Sequence, residues 1–169
     1  MTERDRRRAA VGVADRLPDV QVMMMTPQGP VAVSTADVLG SGTVVLFGVP
    51  GAFTPVCSDH HLPGFVLRAG DLRAKGVQTI ACLSVNDAFV MSAWGRAEGA
   101  DGAVLMIADP DAAFTRAMGL AMDASDVGLG TRSQRYAAVL HDGVITSLAV
   151  ETHFVDHAVS TADAVLSEL

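Results

Sequence analysis

A single α/β domain of layered type is predicted by three observations. Apolar, β-branched stretches of strand length alternate with longer helical patterns between Thr43 and Gly119, a later pair of short apolar runs flanks Asp142-Gly143, and no repeat or linker interrupts the 169 residues. Strands that alternate with helices favour a layered sheet with some parallel pairing. Asp-Gly between two strands favours a tight antiparallel hairpin. With 50% hydrophobic residues, the chain has ample material for one core at this length.

Residues 1–16 are expected to form a flexible N-terminal tail and residues 17–169 the domain. The basic cluster Arg4 to Arg8, with Glu3 beside it and Asp5 within it, reads as a solvated end. Leu17-Pro18 marks an entry turn, and Val20 to Met25 a strand that points Met24 opposite to Met23 and Met25. Thr26 to Pro30 reads as a loop. Ser34-Thr35-Ala-Asp37 is suited to cap a short helical turn before Gly40-Ser-Gly42 breaks it.

Thr43 to Val49 is a buried strand, stopped by the turn chemistry of Pro50-Gly51. A helix from about Pro55 to Lys75 follows, with a bend expected where Pro63-Gly64 interrupts its hydrogen bonds, and Gly76 closes it. Val77 to Val85 is a second buried strand, holding Cys82. Asp87 to Glu98 is a helix with apolar Phe89, Val90, Ala93 and Trp94, of which Phe89 and Trp94 read as core or dimer contacts. Strand Val104 to Ala108 and helix Ala112 to Gly119 come next, and Met122 to Ser133 reads as loop or a short helical turn. Tyr136 to Leu140 and Val144 to Val150 form the hairpin, and Ser160 to Leu169 the last helix. A βαβ portion, then a hairpin and a terminal helix, is the thioredoxin-like order: a central mixed sheet flanked by helices.

A formal charge of −7 speaks against nucleic-acid binding, which calls for a basic face. No apolar run approaches the roughly 20 residues of a membrane helix, so the chain reads as a soluble, unexported, cytoplasmic protein. Two cysteines, Cys57 and Cys82, resemble neither a disulfide framework nor a metal cluster. They suit a reducing compartment.

Cys57 is the candidate nucleophile. Thr54 is a good N-cap and Pro55 is tolerated at the first helical position, which puts Cys57 in the first turn. Unpaired N–H groups and the positive end of the helix dipole there favour thiolate over thiol. Full ionisation gains about 30-fold in thiolate over a free cysteine, so a fast thiol enzyme must also stabilise its transition state. Thr54 offers a hydroxyl on the same turn. A fixed cation is also wanted, and Arg68, Arg96, Arg132 and Arg135 are all candidates.

The spacing Pro50-x-x-x-Thr54-x-x-Cys57 resembles that of the peroxiredoxins, specifically the type-5 subfamily. Gly48-Val-Pro-Gly-Ala-Phe-Thr-Pro55, His61-Leu-Pro-Gly-Phe65, Ala81-Cys-Leu-Ser-Val-Asn-Asp-Ala-Phe-Val90, Trp94-Gly-Arg96 and Ala108-Asp-Pro110 extend the resemblance over 17–169 in the family's order. It implies a peroxidase acting on hydrogen peroxide or alkyl hydroperoxides through a Cys57 sulfenic acid, without metal, haem or flavin. Thr54 becomes a hydroxyl that can bond both thiolate and peroxide, and Pro50 a shield against water. The arginine before the aromatic residue of the hairpin strand matches Arg135, with Arg132 as the rival.

Some family members carry a resolving cysteine in the segment matching 153–162, and this chain has none there. An external reductant is therefore expected, glutathione with or without glutaredoxin first and thioredoxin second. Dimers are common among type-5 relatives, and Phe53, Pro55 and the loop at 128–130 are suited to form such a patch. Cys82 reads as a structural thiol, its alternative being a two-cysteine cycle. His60 and His61 raise a cysteine–histidine hydrolase as another alternative. His153 and His157 read as surface residues. A non-catalytic redox sensor shares Cys57, and a disulfide oxidoreductase lacks its Cys-x-x-Cys.

Overall fold

The computed structural model describes residues 10–169. The basic cluster Arg4 to Arg8 thus lies outside the described residues. Of the expected tail, residues 11–16 hydrogen-bond to the body: Val11 N–H donates to the Met118 carbonyl and Ala14 N–H to that of Ile145, and Arg16 bridges Val144.

Seven strands form one mixed sheet in the order β2-β1-β5-β4-β3-β8-β9. They are β1 (Gln21–Thr26), β2 (Gly29–Ser34), β3 (Thr43–Val49), β4 (Thr79–Ser84), β5 (Leu105–Ala108), β8 (Tyr136–His141) and β9 (Val144–Val150). β3 pairs in parallel with β4, and β4 with β5; the other neighbours are antiparallel. β6 (Ala121–Asp123) and β7 (Thr131–Ser133) make a separate two-stranded ribbon where a loop or a short helical turn was expected, and such a turn, Ser125–Val127, lies between them. β2 begins within the expected loop after Thr26, taking Gly29 and Pro30 from it. It is an exposed edge strand with Gly29 and Pro30 at its start, a place where proline costs no ladder bond.

Alternation on β3 divides the core. Val45, Phe47 and Val49 face one cluster, with Cys57, Phe65, Trp94 and Val165, while Val44 and Leu46 face another, with Leu39, Phe114 and Tyr136. Met23 and Met25 lie against the first and Met24 against the second, as the strand period requires.

The helices are α1 (Thr35–Leu39), α2 (Leu62–Ala74), α3 (Ala88–Ala97), α4 (Ala113–Ala117) and α5 (Ala162–Ser167). Ser34 caps α1, Asp87 caps α3 and Thr161 caps α5 through their side-chain oxygens. On α3, Trp94 is fully buried, but Phe89 is 65% exposed and belongs to the surface. The helix irregularity falls earlier than expected. Pro55 and Val56 begin a helical turn, Cys57–His61 is wound as a π-turn, and Leu62 N–H reaches back five residues to the Cys57 carbonyl. Pro63 explains the displacement, because its ring crowds the carbonyl four residues before it, Asp59, and widens the preceding turn.

Candidate active site

β3 delivers the chain into Pro50-Gly51, and the chain turns through Phe53, at φ +64°, into the helical segment carrying Cys57. Ala52 N–H donates to Asn86 Oδ1 at 3.0 Å, which fastens this loop to the end of β4. Ser58 N–H donates to the Thr54 carbonyl at 2.9 Å, the first helical bond. Trp94 Nε1 donates to Ser58 Oγ at 2.9 Å and ties α3 to the thiol-bearing turn.

Cys57 is fully buried, and Arg135, 1% exposed, points its guanidinium at it: Nη2 lies 3.2 Å from Sγ. Arg135 precedes β8, the strand paired with β3, so the register that joins Gly48 to Tyr136 sets the arginine beside the active-site loop. Nη2 and Nε also donate to the Phe154 carbonyl at 3.1 and 3.3 Å, and Nη1 meets His61 Nδ1 at 3.0 Å.

The other candidate arginines are engaged elsewhere. Arg132 donates from Nε to the Leu129 carbonyl at 2.9 Å and from Nη1 to the Pro50 carbonyl at 3.3 Å, so it braces the loop rather than the sulfur. Arg68 pairs with Asp71 and Asp163 at the surface, and Arg96 donates to Ser92 Oγ.

Thr54 does not cap the helix with its side chain. Its hydroxyl donates to the Gly51 carbonyl at 2.7 Å. A hydroxyl has one proton, so in this arrangement Thr54 offers only lone pairs to the pocket and accepts rather than donates. Pro50 is buried beside Gly51.

His61 is fully buried, and its Nε2 lies 2.9 Å from the Ser160 carbonyl. A carbonyl and a guanidinium leave one consistent tautomer: Nε2 carries the hydrogen and Nδ1 accepts from Arg135. Burial, reinforced by Arg135 and His157 and opposed by the Ser160 carbonyl, holds His61 well below the usual histidine range. Its one basic nitrogen, Nδ1, is taken up by Arg135, and its Nε2–H by the Ser160 carbonyl, so His61 is not placed to serve as a base for Cys57. His60 is exposed and its ring stacks 6.2 Å from that of His157, which is half-buried rather than at the surface. Among the described residues no cluster of three metal-ligating side chains occurs.

Cys82 lies on β4 opposite Phe47, fully buried in the same core cluster as Cys57. Burial pushes its thiol well up, and proximity to Cys57 pushes it further against the pull of Arg135. Glu151, Ser160 and the Phe154 carbonyl surround the site without having been legible in advance. Their only sequence signal is a carboxylate amid the apolar end of a strand.

A helix-start thiol under a guanidinium, on a thioredoxin-like sheet, defines a thiol-based redox protein. The Redoxin family matches residues 12–166. Peroxiredoxin-2B of Arabidopsis thaliana is 41% identical over 162 residues, covering 95% of this chain and 99% of that protein. Chloroplastic Peroxiredoxin-2E-2 of Oryza sativa subsp. japonica is 49% identical over 148 residues, 85% of this chain; the chain spans 66% of that relative's length. Reduced Prx3 of Vibrio vulnificus in complex with hydrogen peroxide superposes with a TM-score of 0.89 at 46% identity, over 94% of this chain and 98% of that one. The chain belongs to the Redoxin family and is a peroxiredoxin.

Proposed function

We propose that the protein is a type-5 peroxiredoxin that reduces hydrogen peroxide and alkyl hydroperoxides at Cys57. The observation that carries this reading is the 3.2 Å contact between Arg135 Nη2 and Cys57 Sγ at the start of a helix. A relative of 46% identity was crystallised with hydrogen peroxide, which supports the same substrate.

In the first step the Cys57 thiolate attacks the distal peroxide oxygen, the S–O bond forms as the O–O bond breaks, and the alkoxide or hydroxide leaves as alcohol or water on taking one proton. Arg135 stabilises negative charge on sulfur and has N–H groups for the peroxide oxygens. Thr54 accepts the peroxide O–H, and Pro50 closes the pocket to water. In the second step an external thiol condenses with the sulfenic acid, releasing water, and a second thiol frees Cys57 as a disulfide departs.

Glutathione, alone or with glutaredoxin, is the reductant this reading favours, and thioredoxin the alternative. A two-cysteine cycle through Cys82 is supported by one observation, that Cys57 and Cys82 share a core cluster. Against it stands the full burial of Cys82 within a strand. The free, buried thiols suit the reducing cytoplasm. Peroxide consumption, followed with each reductant in turn, tests the reading; equal turnover by Cys57→Ser would end it.

The same reading includes a homodimer. Phe53, Phe89 and Val127 are 56%, 65% and 54% exposed. The Ala52–Asn86 and Pro50–Arg132 hydrogen bonds draw their segments around the active-site loop. Sedimentation at high micromolar concentration should detect a dimer, and a monomer alone would count against it.

A further inference from the structure

One strongly bonded carboxylate beside the site takes no part in the chemistry above. Glu151 follows β9 and is 5% exposed, and its backbone N–H donates to the Arg135 carbonyl at 2.9 Å. Its Oε1 accepts from the N–H groups of Ala158 and Val159, both at 2.7 Å, and from the N–H and the hydroxyl of Ser160, both at 2.9 Å. Three successive backbone donors converging on one oxygen wrap residues 158–160 around an anion. Burial works against the charge, but the bonds from Ser160, Ala158 and Val159 outweigh it and hold the carboxyl below the usual glutamate range. It is ionised at neutral pH.

The wrapped segment leads to the thiol. Ser160, which gives two of those four bonds, is also the residue whose carbonyl accepts from His61 Nε2. That bond fixes the His61 tautomer, the tautomer presents Nδ1 to Arg135 Nη1, and Arg135 Nη2 is then held against Sγ. From the carboxylate to the sulfur, each link is a hydrogen bond between buried groups or the backbone of one residue.

We propose that Glu151 is a positioning residue for Cys57 oxidation: its carboxylate folds 158–160 so that the Ser160 carbonyl orients His61, and His61 holds the Arg135 guanidinium in donating position. The inference rests on the peroxidase reading. Without the carboxylate, the three N–H groups lose their common acceptor and the Ser160 carbonyl is free to turn. His61 then has no fixed tautomer, and the guanidinium keeps only its Phe154 anchor.

The test uses the full chain. Reduced protein is mixed with hydrogen peroxide, quenched at intervals with a sulfenate-trapping dione and quantified by mass spectrometry. Wild type, Glu151→Ala, Glu151→Gln, Arg135→Ala and Glu151→Ala/Arg135→Ala are compared, with melting temperatures measured in parallel. Glu151→Ala is expected to slow Cys57 oxidation by about 10- to 100-fold, the loss typical when a reacting group is misplaced by a change away from it. Glu151→Gln keeps an acceptor oxygen without the charge and is expected to fall between the two.

In the Arg135→Ala background the same Glu151 substitution should change the rate by less than about twofold, because no guanidinium remains to be oriented. Rates within about twofold of wild type for both single Glu151 variants, or a full additive loss in the double variant, would overturn the proposal and leave Glu151 a fold-stabilising residue. Should Glu151→Ala not fold, Glu151→Gln alone and combined with Arg135→Ala decides by the same criteria. Absence of sulfenate in the wild type would strike the peroxidase reading instead.

Discussion

Replacing Arg135 by lysine keeps the positive charge and removes the planar fork. In the native site three acceptors share that fork: Cys57 Sγ at 3.2 Å from Nη2, His61 Nδ1 at 3.0 Å from Nη1, and the Phe154 carbonyl at 3.1 Å from Nη2 and 3.3 Å from Nε. An ammonium gathers its three donors on one nitrogen at the end of a flexible stem and cannot meet all of these positions together. Loss of the charge-assisted bond to sulfur, about 1.5–3 kcal/mol, corresponds to a rate lower by about 10- to 150-fold. Alanine would remove the charge too, but it also strands His61 Nδ1 in the core, so lysine separates orientation from folding more cleanly. The assay is the second-order rate of sulfenate formation by quenched-flow mass spectrometry, with Arg132→Lys as the comparison. Since the hydrogen bonds of Arg132 among the described residues go to the Leu129 and Pro50 carbonyls and not to the sulfur, its substitution should do less. An Arg135→Lys rate within about twofold of wild type would refute the argument from the fork, leaving charge alone at work. A larger loss in Arg132→Lys would move the acting guanidinium to the neighbour.

Cys82→Ser should retain most peroxide turnover while Cys57→Ser loses it, since burial pushes the Cys82 thiol up and leaves it a poor nucleophile. Peroxide-treated protein without added thiol should accumulate Cys57 sulfenic and then sulfinic acid; a stoichiometric Cys57–Cys82 bond in the mass spectrum would contradict this. Stability should fall on acidification below the ordinary histidine value of about 6.5, because His61 stays neutral when folded while the unfolded chain takes up the proton. Its contribution is complete above that pH and is lost by up to about 1.4 kcal/mol per pH unit until its lowered folded value is reached. His157 shifts the same way, so urea melts at neutral and mildly acidic pH should show a slope that His61→Gln reduces without abolishing; an unchanged slope would exclude His61 as a source. Gly48→Ala should cost about 1–3 kcal/mol by overpacking, since the added carbon would lie 2.1 Å from Cε1 of the buried Tyr136, and an unchanged denaturation midpoint would show that the ring can yield.

The strand, turn and helix start around Cys57 were legible in the sequence because their causes are local. A β-branched run makes β3 and Pro50-Gly51 ends it, while Pro55 opens the next helical segment and the strand period alone sorts the three methionines. Other local signals misled. Gly29 and Pro30 suggested a loop because a lone strand tolerates neither well, yet at the sheet edge β2 pairs through all six residues of β1. The ribbon of β6 and β7 escaped notice because each strand has only three residues and is held by its partner rather than by its own propensity. The helix irregularity at Cys57 depends on Pro63, but whether a proline kinks its own turn or unwinds the preceding one is decided by packing.

Selection between arginines lay beyond local rules, and the resemblance favoured Arg135 only by register. Cys57 and Arg135 are 78 residues apart and His61 and Ser160 are 99 apart. Their meeting follows from β8 pairing with β3 and from Glu151 turning the chain back after β9. Such contacts carry no signature in the residues beside them, because the free energy that selects them comes from burying the whole sheet and not from any one segment. The sequence by itself singled out Cys57 as the candidate nucleophile after a strand and a tight turn; the tertiary structure decided the π-turn that carries it, which cation faces it and what holds that cation still.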